Sequence, residues 1–498
     1  MLREIENQTR ADDSAAVLAL LLAGVLGVLA DRFFYPEGPQ GPGFALWIAL
    51  LGGAAVLEAR RSHPASAGAV AGWSAVSTVA AAAMMLRDTE VVMPMMWLVL
   101  LTSASMVLLR SSGVRLWSTR PIDHVLALAW VPGRAAMGVL PLVMDLEPPP
   151  DSSRRRFGGL VRGALLAAPL LLVFGALFAS ADAGFDRYLV RMATFWSEDG
   201  LTHVLFVLGF GWIAAGLLSG VRAKRLPDPL SGFVRPRLGP EETGVVLGLL
   251  ALLFLTFVGF QLGYLFGGRE VIESTSGLTV ADYARRGFFE MVVVGVGTIG
   301  VLLIGDAVTT ARRLFRVLAV VLIVCVLIIF TSAVQRLMLY TGEFGLTVDR
   351  ITAAAIMAWV AAVLILFAAT VLRDRPARFS SAALVAGIVT AFALVLMNPA
   401  QMAARSNLDR AARGVREADV AFLTGLGGDA VPAILERIDE LPAPARCALG
   451  RDLLSRWTTG ADDPPVDRDW RTWNAGRAAA RAAVEASRPR LQAAASGC

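Results

Sequence analysis

The chain has 498 residues, 56% of them hydrophobic and 17% charged, against about a quarter charged in a soluble globular protein. This excludes an ordinary soluble fold and points to a chain that lives in a bilayer. A net charge of +5 calls for no nucleic-acid partner, because arginine collects in alternate short loops, as the positive-inside rule expects of cytoplasmic loops.

The first fourteen residues mix Arg3 and Arg10 with Glu4, Glu6, Asp12 and Asp13. They do not read as a cleavable signal, so the first apolar run is expected to be a retained anchor. Apolar runs predict eleven spans at roughly 14–31, 43–59, 67–86, 91–109, 159–179, 201–220, 244–266, 287–306, 314–334, 350–372 and 380–397. With the N-terminus inside, the inner loops carry Arg60 and Arg61, then Arg110, Arg115, Arg120 and Arg154 to Arg156. Later inner loops carry Arg222, Lys224, Arg225, Arg235 and Arg237, then Arg312, Arg313 and Arg316, then Arg373, Arg375 and Arg378. The outer loops hold scattered Arg32, Arg87, Arg187, Arg191, Arg269 and Arg336 and the pair Arg285 and Arg286. All five tyrosines, Tyr35, Tyr188, Tyr264, Tyr283 and Tyr340, fall toward the outer side, where interfacial rings are common.

One apolar stretch, 122–144, contains Pro132, Arg134 and Pro141. A crossing here would turn every later Arg cluster outward, so it is read as a surface-lying or re-entrant segment on the inner side. The expected fold class is all-α: a polytopic membrane bundle, N-terminus in and C-terminus out. Four parts follow: a four-span region (1–110), a cytoplasmic loop (111–158), a seven-span region (159–397) and a helical extracytoplasmic tail (398–498). In the tail, Asn398-Pro399 reads as an N-cap with proline at the first helical position. Helices are expected over 400–413 and 417–424, and Gly427-Gly428 breaks the chain. Asp429 is placed to cap the next helix. A further element follows Pro442 and Pro444, and a last helix over 468–487 carries Trp470 and Trp473.

Cys325 reads as packing inside a span; Cys447 and Cys498 both lie in the tail, where an oxidising compartment permits a disulfide between them. Two motifs invite chemistry. Gly295-Val-Gly-Thr-Ile-Gly300 matches a dinucleotide fingerprint, but it sits mid-span and is followed by Arg312, Arg313 and Arg316. The fingerprint needs a strand–turn–helix unit and a later acid, so these glycines, like Gly216 and Gly220, are assigned to helix packing. The phrase Gly277-Leu-Thr-Val-Ala-Asp282 recurs as Gly345-Leu-Thr-Val-Asp349. Each copy precedes a helix, where Thr279 or Asp282, and Thr347 or Asp349, can cap the N-terminus.

Around these turns lies a polar cluster, the candidate binding site: Tyr283, Arg286, Glu290, Arg336, Tyr340, Glu343, Arg350, Asn398, Arg405 and Asn407. Ionisable groups at membrane depth are costly and face a protein interior or cavity; snorkelling arginines and structural ion pairs are the plainer explanation. Span centres hold almost no ionisable residue, which argues against an ion-coupled transporter. With three histidines, and no HExxH, paired CxxC, GxSxG, Walker or kinase signature, no metal, cofactor or catalytic residue is assigned.

Five blocks carry a family resemblance: ADYARRGFFEMVVV (281–294), RLMLYTGEFGLTVDRI (336–351), LMNPAQMAARSNLDRA (396–411), GGDAVPAI (427–434) and DWRTWNAGRAAAR (469–481). They resemble an uncharacterised bacterial multi-pass membrane family, the domain of unknown function 4153/4173 group, over roughly residues 155–490. The resemblance implies an integral membrane location and a helical extracytoplasmic tail, and it carries no activity or catalytic residue. The expected function is a non-enzymatic one in the bacterial inner membrane: binding or sensing at the outer face, or part of an envelope complex. The bilayer, an envelope protein, or an anionic small molecule or lipid are the expected partners. A membrane transferase acting on a lipid-linked substrate and a facilitative transporter or flippase are the alternatives.

Overall fold

The computed structural model describes residues 2–36, 38, 41–113, 121–139, 142, 200–223, 237–276, 288–415, 417–458 and 469–496. Among them are seventeen α-helices and no strand, apart from one isolated bridge between Leu238 and Thr309. The helices of the bundle are α1 (Leu2–Phe34), α2 (Pro42–Ser62), α3 (Ala67–Met84), α4 (Val92–Ser111), α5 (Pro121–Met137) and α6 (Gly200–Arg222). They continue with α7 (Pro240–Ser276), α8 (Phe288–Val308), α9 (Arg312–Phe344), α10 (Val348–Thr370) and α11 (Pro376–Met397). All but α5 are long and apolar enough to cross a bilayer, ten in all among the described residues. The eleventh expected span, 159–179, lies outside the described residues.

The spans close on one another through shape, because lipid removes the hydrophobic drive between them. The Phe34 side chain, fully buried near the end of α1, shows how. Its ring meets Phe44, Trp47, Phe206 and Phe210 edge-on, at 5.6, 5.8, 5.6 and 5.0 Å. Such pairs contribute about 0.5–1.5 kcal/mol each beyond area burial, and together they lock α1, α2 and α6. A first core joins α1 to α6 and reaches Ala391 and Val395 of α11; a second joins α7 to α10 through Phe315, Phe330 and Phe367. Of the fingerprint-like glycines, Gly295 faces the Phe330 ring with no room for a Cβ, whereas Gly297 and Gly300 have open space there. All three lie inside an unbroken helix, so only Gly295 serves close packing and none sits on a strand–turn–helix unit. Gly216 and Gly220 press against α5 and Leu108 in the same way.

The α5 segment lies among α4, α6 and α11. Val131 and Val139 are buried in the first core, and Trp212 Nε1 donates to the Ala136 carbonyl at 2.9 Å. Trp212 is ten residues before Arg222, about 15 Å along α6, so α5 reaches into the bundle.

Interhelical turns gather on two faces. On one, the Arg-rich face, His63 bonds the Arg222 carbonyl (3.2 Å), Ser66 bonds Ser111, and Arg316 pairs with Asp374 (2.5 Å). On the other, Tyr35, Arg87, Gly345 and Asn398 meet the tail. Since α4 ends on the Arg-rich face and α6 begins on the tail face beside Asp31 and Tyr35, the chain changes face between Ser111 and Gly200.

The tail contains α12 (Pro399–Ala412), α13 (Val420–Gly425), α14 (Val431–Arg437), α15 (Ala443–Trp457), α16 (Ala475–Ala486) and α17 (Arg488–Ser496). Its own core includes Leu408, Ile434, Leu449, Leu453 and Val484, and shares Ile351 and Leu394 with the bundle. Asn398 caps α12, accepting from Gln401 N at 3.2 Å, with Pro399 at the first position. The expected cap by Asp429 is not made; Ala430 holds the cap position of α14, with no side-chain hydrogen bond. Trp470 belongs to a short 3₁₀ turn and Trp473 follows it, both ahead of α16, whose cap is Asn474 accepting from Arg477 N at 3.1 Å. Cys447 is buried on α15 and disulfide-bonded; Cys498 lies outside the described residues, and Cys325 is a free buried thiol.

Candidate functional site

The α9–α10 turn is built on a helix end that needs acceptors satisfied. The chain leaves α9 through Gly345 at φ +82°, a left-handed conformation that favours glycine. Its missing Cβ leaves room for the Asn407 side chain. The exposed carbonyls of Thr341, Gly342 and Glu343 accept from the Arg410 guanidinium of α12, at 3.3 Å for Thr341 and 2.9 Å for Glu343. A cation there also complements the negative end of the helix. Asn407 Nδ2 donates to Leu346 O at 2.6 Å and Ala403 O at 2.8 Å. Arg350, in the first turn of α10, lies 4.3 Å over the Tyr340 ring and donates to the Gly345 carbonyl. Thr347 is the cap, accepting from Arg350 N at 3.4 Å.

Between this turn and the tail is a cavity of about 260 Å³, lined among others by Thr347, Arg350, Asn407, Arg410, Glu417 and Asp419. Two guanidiniums and two carboxylates therefore share its wall, and Asp419 is committed to capping α13 through Phe422 N at 3.0 Å.

The expected cluster thus separates. Tyr340, Arg350 and Asn407 come together here, with Glu343 contributing its backbone. Arg336 sits one turn deeper and donates to Gln261 Oε1 of α7, which Ser332 also reaches at 2.9 Å. Asn398 is a buried helix cap. Arg405 points elsewhere and forms an exposed pair with Glu436 at 3.3 Å. Tyr283, Arg286 and the Glu290 side chain lie outside the described residues.

A second polar knot was not expected. The Asp429 carboxylate is buried between the α3–α4 loop and the tail. Its Oδ2 accepts from Asp88 N at 2.7 Å and Thr89 Oγ1 at 2.6 Å, while Asp88 Oδ2 accepts from Gly428 N at 2.9 Å. Asp429 Oδ1 has no partner; bare Gly476 lies directly against it. Burial pushes the Asp429 carboxyl above the usual range, opposed by the Thr89 and Asp88 bonds and by Arg87. Around it, Asn474 Nδ2 donates to Arg87 O at 2.9 Å, Ala475 N to Met85 O at 2.8 Å, and Arg477 stands 3.5 Å from Asp88. Farther along, Arg471 reaches Tyr35 O at 2.8 Å. Its hydrogen bond to Asp469 holds that carboxyl below the usual range. The available signal was the blocks GGDAVPAI and DWRTWNAGRAAAR, whose polar residues converge on this loop.

Among the described residues no three His, Cys, Asp or Glu side chains come together to hold a metal ion. The helices and their two faces define a multi-pass helical membrane protein. More narrowly, the chain belongs to the family described as a domain of unknown function, DUF4153, whose model matches residues 74–437. That match takes in α4 and most of α3, and it ends before the 469–481 block. No curated protein and no solved structure matches the chain.

Proposed function

We propose that this protein is a non-enzymatic binding or sensing component of the bacterial cytoplasmic membrane. In this reading the Arg-rich face is cytoplasmic, the tail lies outside, and the cavity beneath the tail takes a small anionic ligand. An envelope protein reads the tail from outside. The observation that carries the proposal is the chamber of about 260 Å³ between the α9–α10 turn and the tail, with Arg350 and Arg410 in its wall. Both guanidiniums spend hydrogen bonds on backbone carbonyls. Glu417 and Asp419 in the same wall offset part of their charge, with Asp419 held at the cap of α13, and a ligand carboxylate or phosphate pairs with the guanidinium side of the chamber. A ligand there touches bundle and tail at once, so its occupancy changes how the tail is held, which is what sensing requires.

A transferase acting on a lipid-linked substrate needs a lateral path to such polar groups. The large apolar cavity of the bundle shares no lining residue with this chamber. Thermal unfolding in lipid nanodiscs, run against small carboxylates and phosphate monoesters, tests the ligand. At least one is expected to raise the midpoint, and no shift across the panel contradicts the proposal. Labelling Thr424→Cys with an impermeant thiol reagent on intact cells tests the side; protection until lysis would invert the topology.

A further inference from the structure

The larger cavity lies inside the bundle among α2 to α6, with a volume of about 370 Å³. We infer that it is a binding slot for one acyl chain of a phospholipid drawn from the leaflet on the tail side.

Its wall is hydrocarbon and aromatic, with only two hydroxyl side chains, Ser74 and Ser77. Ser77 is committed to Ser103 at 2.7 Å, and the Trp47 indole donates away from the space, to Leu26 O at 2.8 Å. Water needs two to four polar partners to be held in a protein interior, and this wall does not supply them. Left empty, the slot would forfeit dispersion contacts along its whole lining. Hydrocarbon fits the chemistry.

The slot is long. On α4 its lining runs from Trp97 to Leu108, eleven residues or about 16 Å. That equals about half of a ~30 Å hydrocarbon core, the depth of one leaflet.

The exposure of the lining gives direction. Trp97 and Leu101, toward the tail face, are 44% and 37% exposed on the bundle's outer surface. At the Arg-rich end, Leu108, Leu218 and Val221 are buried. The slot is therefore open sideways in one leaflet and closed below. This inference concerns a different cavity from the polar chamber, and either can fail alone.

The test uses the full chain in nanodiscs containing a phospholipid with a diazirine on one acyl chain, with adducts mapped by peptide mass spectrometry. Adducts are expected on 97–108 of α4 and 210–221 of α6, saturable by excess unlabelled phospholipid. They should fall at least fivefold in Ala104→Phe, which fills the slot. Adducts confined to outward residues such as Leu252 and Val293, or unsaturable labelling of α4 and α6, overturn the inference. So does displacement of the phospholipid by a polyprenyl probe at much lower concentration. If Ala104→Phe does not fold, saturability in the wild-type chain decides.

Discussion

Two of the tail's anchors on the bundle are of opposite sign. At the α3–α4 loop a tail carboxylate, Asp429, is buried among donors of the loop, and bare Gly476 lies against its unpaired oxygen. At the α9–α10 turn a tail cation, Arg410, lies over backbone carbonyls, and the packing leaves a cavity. The first anchor is a fastener. Its cost is a desolvated charge, and its gain is geometric, since backbone and hydroxyl donors converge on one oxygen. The second, made by Arg410 and Asn407 on backbone carbonyls, keeps space beside charged groups.

The largest break in this comparison is expected at the fastener. Asp429→Ala orphans the Asp88 amide and the Thr89 hydroxyl, and leaving buried donors unmet costs about 1–3 kcal/mol each. The tail should become sensitive to limited proteolysis while the spans stay protected; unchanged protection would remove Asp429 from the account. Arg410→Ala should cost less, about 1–2 kcal/mol, through the lost C-terminal cation and its carbonyl bonds. Hydrogen exchange at 341–346 should rise without a change at 85–90.

Acidity sharpens the contrast further. Asp429 titrates higher in the folded protein than in an unfolded chain, because burial disfavours its charge. The folded state then holds the extra proton. Docking is strongest below the ordinary carboxylate value and weakens as pH rises from there through the raised folded value. Asp429→Asn should flatten that slope while keeping the tail docked. A tail that tightens with rising pH over the same window would contradict the assignment. The smallest effect belongs to Arg405→Ala, since its pair with Glu436 is half exposed and such pairs contribute about 0–1 kcal/mol.

The bundle was legible in the sequence because membrane crossing imposes length and apolarity on each span, and ten of the eleven expected segments are described as such helices. The caps at Thr347 and Asn398 were legible because capping is local. What the sequence hid is contact across distance. Asp88 sits in an ordinary short loop, and its partners lie some 340 residues on. Asp429 read as a cap because its neighbours fit one, but tertiary donors took its oxygen instead. Arg410 carries no local signal, because a helix end reveals its open carbonyls only once the partner helix is in place. Within the expected polar cluster, Tyr340, Arg350 and Asn407 converge, while Arg405, two residues before Asn407, points away along the tail.

The most direct measurement is calorimetric titration of inorganic phosphate and a short dicarboxylate into the nanodisc-embedded chain, comparing wild type, Arg350→Ala and Arg405→Ala. The account predicts saturable binding of at least one anion, weakened tenfold or more in Arg350→Ala and unchanged in Arg405→Ala. Absence of binding in the wild type, or equal binding in all three, would contradict a ligand seat beneath the tail.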